Sequence, residues 1–292
     1  MSMTLIDYLQ LNPVVFLAFC TLIGLSVGSF INVVAYRLPV MLDRDWKSQC
    51  RELLEMSPAE EEAQVFNLSH PRSRCPECGH PIRIRENIPV ISFLLLRGRC
   101  AACSQPISMR YPIVEATTGL LSLAVAWHFG VSWETVAALF LTWALIALSL
   151  IDFDHQILPD SIVLPTLWLG LILSLFGIFT DAQGAIIGAA AGYLSLWSVF
   201  QLFRLVTGKQ GMGYGDFKLL ALFGAWLGWQ SLFQIILISS LVGAIVGVSM
   251  ILFMGRDRSI PIPFGPYLAT AGWISLLWGE QINRLYFTWA GI

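Results

Sequence analysis

The sequence predicts an all-α polytopic membrane protein, about eight transmembrane helices interrupted by one small polar insert. Three observations predict it. Charged residues are only 12% of the 292, about half the share of an ordinary soluble chain. Hydrophobic residues reach 56%, including eleven Trp, and the mean hydropathy is +0.70. The charge is also concentrated: residues 37–111 hold 11 of the 17 basic and nine of the 19 acidic groups. Lipid is therefore the main solvent of this chain. That excludes a simple cytosolic enzyme, a disordered regulator and a disulfide-stapled secreted domain. The net charge of −2 says little by itself, and nothing in its distribution points to a nucleic-acid partner.

A hydrocarbon core about 30 Å thick needs roughly 20 apolar residues in helical form, because unsatisfied backbone groups are not tolerated there. The segments that meet this need are about 13–36, 112–130, 133–151, 161–180, 182–206, 216–230, 231–254 and 264–280. The sixth and eighth are short and are expected to tilt or be partly re-entrant. The first is not expected to be a cleaved signal, since no Lys or Arg precedes it and its apolar run is too long. Gly24, Gly28 and Ser29 lie four or five apart on it, a spacing that permits close helix contact and is also common in membrane helices. The expected organisation is a first transmembrane helix at 1–36, a polar insert at 37–111 and a multi-helix membrane domain at 112–292.

Orientation follows from the basic residues, which are retained on the cytoplasmic side. With eight spans, the insert and the connections 152–160, 207–215 and 255–263 share one side. That side and its helix ends take 16 of the 17 basic residues, including Arg204, Lys209, Lys218, Arg256 and Arg258; only Arg284 falls opposite. The insert is thus expected in the cytoplasm, with both termini outside. Within it, residues 43–69 read as one short solvated helix, a break at Ser57-Pro58 and a second amphipathic turn that includes Glu60–Glu62. A charged face without chemistry is the simpler reading of that stretch.

Four of the six cysteines form two CxxC pairs, Cys75-Pro76-Glu77-Cys78 and Cys100-Ala101-Ala102-Cys103. Each knuckle turns two thiolates toward one point, and two knuckles make a tetrahedral zinc site. Gly79 suits the tight turn after the second ligand. A dithiol redox pair and disulfides are the alternatives; a cytoplasmic location opposes disulfides, and paired knuckles oppose a single redox motif. Four thiolates leave no open position, so the zinc would be structural. Cys20 and Cys50 are expected to be bystanders.

The second feature is the run Asp152-Phe153-Asp154-His155-Gln156-Ile157-Leu158-Pro159-Asp160. Asp152 lies at or just inside the lipid boundary, where a carboxylate is costly unless it serves a function. Asp154 and His155 lie further out. Pro159 stops the helix, and Asp160 is placed to cap the next one. The third feature is Gly211-Met212-Gly213-Tyr214-Gly215-Asp216-Phe217-Lys218. Its glycines allow close backbone approach and deliver a carboxylate to the start of the sixth span, although a flexible loop followed by a dipole-favoured Asp reads equally well. Taken together, Asp152 and Asp216 come from different helices at one depth. Two carboxylates sharing a site do not both ionise readily, so one can serve as general base and the other as general acid. No HExxH, GxSxG, dinucleotide or Walker A motif competes.

At these residues the sequence resembles the type IV prepilin peptidases, the GxGD-type aspartic proteases of bacterial inner membranes. The resemblance spans nearly the whole chain. It includes Gly28 to Val34, Arg37-Leu38-Pro39, the paired CxxC insert, Asn87-Ile88-Pro89, Arg110-Tyr111-Pro112, the Asp152 to Asp160 run, Gly213 to Lys218 and Pro261 to Pro266. It implies a bifunctional enzyme of the bacterial inner membrane. Such enzymes cut the short basic leader of prepilins and pseudopilins on the cytoplasmic side, after Gly and usually before Phe, and then N-methylate the new terminus with S-adenosylmethionine. The family's catalytic pair maps onto Asp152 and Asp216, and the Cys75, Cys78, Cys100, Cys103 insert is typical of its bifunctional members. The methyl-donor ligands are unknown; the cytoplasmic insert is their expected place. Acidic groups such as Asp154 and Asp160 are placed to attract a basic leader.

Three rivals remain at this point. A presenilin-like protease shares GxGD but cuts within transmembrane helices and lacks the CxxC insert. Gly213-Tyr214-Gly215-Asp216 superficially matches a potassium filter, but Gly211-Met212 replaces the expected Thr-Val. A proton-coupled transporter could use Asp152 as a relay.

Overall fold

The computed structural model describes residues 4–57, 65–209, 211–254 and 262–290. Ten α-helices are found among them, with no β-strand and only two isolated bridges, Arg74–Pro81 and Arg99–Pro106. The chain divides into two compact units, Met1–Val131 and Ser132–Ile292.

The first unit holds α1 (Leu5–Leu11), α2 (Pro13–Leu53), α3 (Ile91–Leu95) and α4 (Arg110–Phe129). Pro13 opens α2, at the first helical position where its missing N–H is harmless. α2 then runs unbroken for 41 residues, roughly 60 Å and about twice the hydrocarbon thickness. This corrects the expectation of a separate short charged helix after residue 43. The solvent changes near residue 37, but the backbone has no reason to stop there. Pro39 removes one intrahelical hydrogen bond, and the following turns are good helix-forming sequence that carries a Lys47–Asp43 pair one turn apart at 2.7 Å. Pro58 and Glu60–Glu62 lie outside the described residues.

The small residues of α2 are contact residues. A side-chain carbon at Gly24 would sit 2.6 Å from Ser122 Cβ, and one at Gly28 would sit 2.8 Å from Glu115 Cα. Both positions therefore mark close approach to α4 rather than ordinary composition. Arg37, buried at the end of the apolar stretch, donates through Nη1 to Asn67 O at 2.9 Å and through Nη2 to Pro71 O at 2.6 Å. Those bonds satisfy the guanidinium and fold the 67–71 segment back onto α2.

The second unit holds α5 (Trp133–His155), α6 (Asp160–Ser174), α7 (Ala182–Thr207), α8 (Tyr214–Leu227), α9 (Leu232–Met254) and α10 (Gly265–Ala290). With α2 and α4, a helix thus stands at each of the eight places expected for a span. Four stretches, Pro13–Leu53, Trp133–His155, Ala182–Thr207 and Trp229–Phe253, are long and apolar enough to cross a membrane by length and composition. The sixth place is short as expected, 14 residues in α8. The fourth is also short, since α6 stops at Ser174 after 15 residues. The eighth is not short: α10 continues for 26 residues to Ala290. Hydropathy falls at Gly279-Glu280, but an Arg284–Glu280 pair at 3.1 Å carries the helix on through polar sequence.

α8 is the centre of this unit. Phe217, Leu219, Leu220, Leu222, Phe223 and Ala225 are fully buried and Trp226 nearly so, which is how a helix too short to span is surrounded by protein on all sides. α7 approaches it through a Gly188–Gly224 crossing at which any side-chain carbon would overlap the facing backbone. Trp226 Nε1 donates to Thr166 O of α6 at 2.8 Å, and Trp273 Nε1 ties α10 to Thr142 of α5 at 3.1 Å.

Candidate active site and metal centre

Asp152 sits in the last turn of α5. That helix closes with Gln156 in the left-handed conformation, its N–H on Asp152 O at 2.9 Å. The chain then crosses Pro159 into α6. Asp152 is buried, at 6% exposure, and its Oδ2 accepts the Gly265 N–H at 2.9 Å. Gly265 is the first residue of α10, so the carboxylate occupies a helix N-terminus, where unpaired amides and the helix dipole favour an anion.

Asp216 is the third residue of α8 and is also buried, at 8% exposure. Gly213 precedes the helix in extended conformation, and its carbonyl accepts the Asp216 N–H at 3.3 Å. Leu158 packs against both Gly215, the neighbour of Asp216, and Gly265, the amide partner of Asp152. The structure therefore brings together the two acids that the sequence singled out.

Packing explains the placement. Leu158, in the α5–α6 connection, is wedged against two glycines. A side-chain carbon would meet Leu158 Cβ at 2.8 Å from Gly215, and Leu158 Cδ2 at 3.2 Å from Gly265. One leucine thus braces the segment that carries Asp216 and the segment whose amide binds Asp152. Gly265 itself admits no side chain, because Asp152 Oδ2 lies 2.6 Å from where its Cβ would be. Sequence reasoning gave neither residue a role; the apolar Pro263-Phe264-Gly265-Pro266 run was the available signal.

The other acids of the 152–160 run fall differently. Asp154 and His155 are exposed. Asp160 does not cap α6, as its position had suggested: Pro159 occupies the cap, and no side-chain cap bond forms there. Instead the Lys218 ammonium donates to both Asp160 oxygens at 2.7 Å. Asp160 stands one residue past the cap, and the charge-assisted pair joins the start of α6 to α8. Arg256, Arg258 and Pro261 lie outside the described residues.

In the first unit, Cys75, Cys78, Cys100 and Cys103 have sulfur atoms all within 4.8 Å of one another, and none is in a disulfide. The two knuckles fold alike. Gly79 N donates to Cys75 O at 2.9 Å, and Ser104 N donates to Cys100 O at 3.0 Å. Gly79 and Ser104 both take positive φ, +70° and +60°; glycine accepts this without strain, whereas a serine there is uncommon. The backbone N–H groups of Cys103 and Ala102 hold the Cys100 thiol below its usual range, while burial and hydrogen bonds to the other three thiols push the Cys103 thiol up, as expected of four sulfurs crowded together. Zinc–sulfur bonds of about 2.3 Å in a tetrahedron put sulfurs about 3.8 Å apart, and the Cys75–Cys103 separation is 3.8 Å. His80 stays outside the cluster, its Nε2 3.3 Å from Glu86 Oε2. The four sulfurs could hold a metal ion.

Fold and site together define a polytopic α-helical membrane protein, with one unit carrying a buried carboxylate pair and another a four-thiol cluster. The Bacterial Peptidase A24 N-terminal domain family matches residues 22–129, and the Type IV leader peptidase family matches residues 139–248. A protein of Stutzerimonas stutzeri is 58% identical over 288 residues, covering 99% of each chain. One of Pseudomonas aeruginosa is 58% identical over 289 residues with the same coverage, and one of Dichelobacter nodosus is 48% identical over 271, covering 92% of this chain and 93% of its own. All three are named prepilin leader peptidase/N-methyltransferase. No solved structure matches the chain. The chain belongs to the type IV leader peptidase family.

Proposed function

We propose that this protein removes the basic leader of type IV prepilins and pseudopilins at the cytoplasmic face of the bacterial inner membrane, and then N-methylates the new amino terminus. The observation that carries the reading is the pair Asp152 and Asp216. They are buried, belong to helices distant in sequence, and lie in segments that meet around Leu158, Gly215 and Gly265. In such a pair one carboxyl retains a proton while the other is ionised. The ionised group takes a proton from water as the oxygen attacks the scissile carbonyl carbon, and the protonated group donates to the carbonyl oxygen. As the tetrahedral species collapses, the C–N bond breaks and the leaving amine takes up a proton. No covalent enzyme intermediate is needed.

The insert 37–111 lies in the cytoplasm on this reading, where the excess of basic residues keeps it. Zinc fits its four thiolates and would brace the fold without entering the reaction. S-adenosylmethionine supplies the methyl group; the described residues assign it no ligands. Asp154 and Asp160 add negative potential near the site, favouring a basic leader, although Asp160 shares its charge with Lys218.

The test is cleavage of a purified prepilin-like substrate in detergent, read by mass spectrometry. The wild type releases a short basic leader, and with S-adenosylmethionine the product gains one methylene in mass. Asp152→Asn and Asp216→Asn each abolish cleavage while remaining folded and metal-loaded. Processing retained in either variant would remove the dyad assignment.

A further inference from the structure

A cavity of about 420 Å³ lies between α7 and α9 in the second unit, within the usual size range of binding sites. Its walls are apolar. Leu196 and Val199 come from α7, Ser240 and Ala244 from α9, and Met212 and Phe264 from the segments that lead into α8 and α10. Those last two are the informative part. Met212 directly precedes Gly213, whose carbonyl holds the Asp216 backbone, and Phe264 directly precedes Gly265, whose N–H lies on Asp152. The same two chain segments thus bond to the two acidic residues and line the cleft.

The α9 wall is hollow for a local reason. Ser240, Gly243, Ala244 and Gly247 stand at i, i+3, i+4 and i+7, so small residues share one face of the helix. Ser240 and Ala244 are exposed, as are the large side chains of Leu241, Ile245 and Val248. Only 11% of the apolar window of α9 is buried, so the cleft runs along a helix that faces lipid.

We propose that this cleft receives the apolar helix of the prepilin-type substrate, and that Ser240, Gly243 and Ala244 determine how well that helix seats. The proposal rests on the peptidase reading above. Such a substrate has a basic leader in water and an apolar helix in the membrane, with the scissile bond between them. An enzyme must present an apolar surface that begins at its carboxylates and continues alongside its own helices, and this cleft does so. Its volume suits one face of a helix, with anchoring side chains at i, i+3 or i+4, and i+7. A lipid chain would suit the lining but has no need of a cleft lined by the segments that hold the two acids.

The experiment uses the full chain in lipid nanodiscs with a prepilin-like substrate that retains its apolar helix. A photo-crosslinking amino acid is placed at position 244 or, as a control on the outward face, at position 245, in the Asp216→Asn background so that substrate persists. Substrate adducts from position 244 and few from 245 are expected. In the active enzyme, Ala244→Trp raises KM about tenfold with kcat little changed, the mark of lost binding, and Ile245→Trp leaves both within about twofold. Lipid adducts alone at 244, equal substrate adducts at both positions, or an unchanged KM in a folded Ala244→Trp enzyme overturns the proposal. Failure of the peptidase reading shows separately, as an uncleaved substrate with wild-type enzyme; the crosslinks then still report whether the cleft holds the helix.

Discussion

Gly265→Ala tests the geometry of the carboxylate pair more sharply than removal of either acid. The new methyl carbon would lie 2.6 Å from Asp152 Oδ2, 3.1 Å from its Cγ and 3.2 Å from Leu158 Cδ2. Ordinary contact begins at 3.4 Å, so the carboxylate or the start of α10 must move by about 0.8 Å, close to the 1 Å misplacement that can lower a rate about a hundredfold. The Gly265 N–H to Asp152 bond is strained by the same movement. We expect kcat/KM for leader cleavage to fall about 10- to 100-fold, equivalent to about 1.4–2.7 kcal/mol of transition-state stabilisation. Gly213→Ala is the matched control. Its backbone is already extended, and a methyl there meets nothing nearer than Asp216 Oδ2 at 3.9 Å. The paired carboxylates should stay in place in that variant, and thermal stability should be unchanged even though the glycine belongs to the GxGD motif. The assay is steady-state cleavage of a purified substrate beside thermal unfolding in detergent. Activity within twofold of wild type for a folded Gly265→Ala enzyme would refute the claim that this glycine positions Asp152.

Three further outcomes follow from the packing. Cys75→Ser should lose bound metal and destabilise the first unit, because metal binding supplies much of a small site's folding energy; metal analysis finding less than one zinc per wild-type chain would count against the assignment. Gly224→Ala should lower the thermal midpoint sharply, by an amount corresponding to about 1–3 kcal/mol or more, because its methyl overlaps Gly188 backbone atoms of α7; an unchanged midpoint would mean that the helices separate freely. Asp160→Asn should change stability by less than about 1 kcal/mol, as a surface ion pair does, since Asp160 is half exposed beside Lys218; a large loss in thermal unfolding would show that the pair is a principal tie between α6 and α8.

The sequence by itself determined the membrane class, the place of eight helices, both CxxC knuckles and the two acids. Each of these is written in local composition or spacing: apolar runs of bilayer length, ligands two residues apart, a carboxylate where lipid begins. Helix ends were less legible. α2 runs on to Leu53 and α10 to Ala290 because hydropathy reports the solvent around a residue, whereas a helix ends where its backbone bonding ends. Asp160 was read as a cap because its position along the chain suits one, but its partner lies 58 residues away on α8. Gly265 and Leu158 fell within runs the sequence marked, but their roles were illegible for a similar reason. A glycine needed for a carboxylate 113 residues distant and a leucine wedged between two glycines have no local signature. Only the packing of α5, α8 and α10 against one another decides that Asp152 meets Asp216, because contacts between helices depend on which faces meet in three dimensions, and the linear order of residues does not record that.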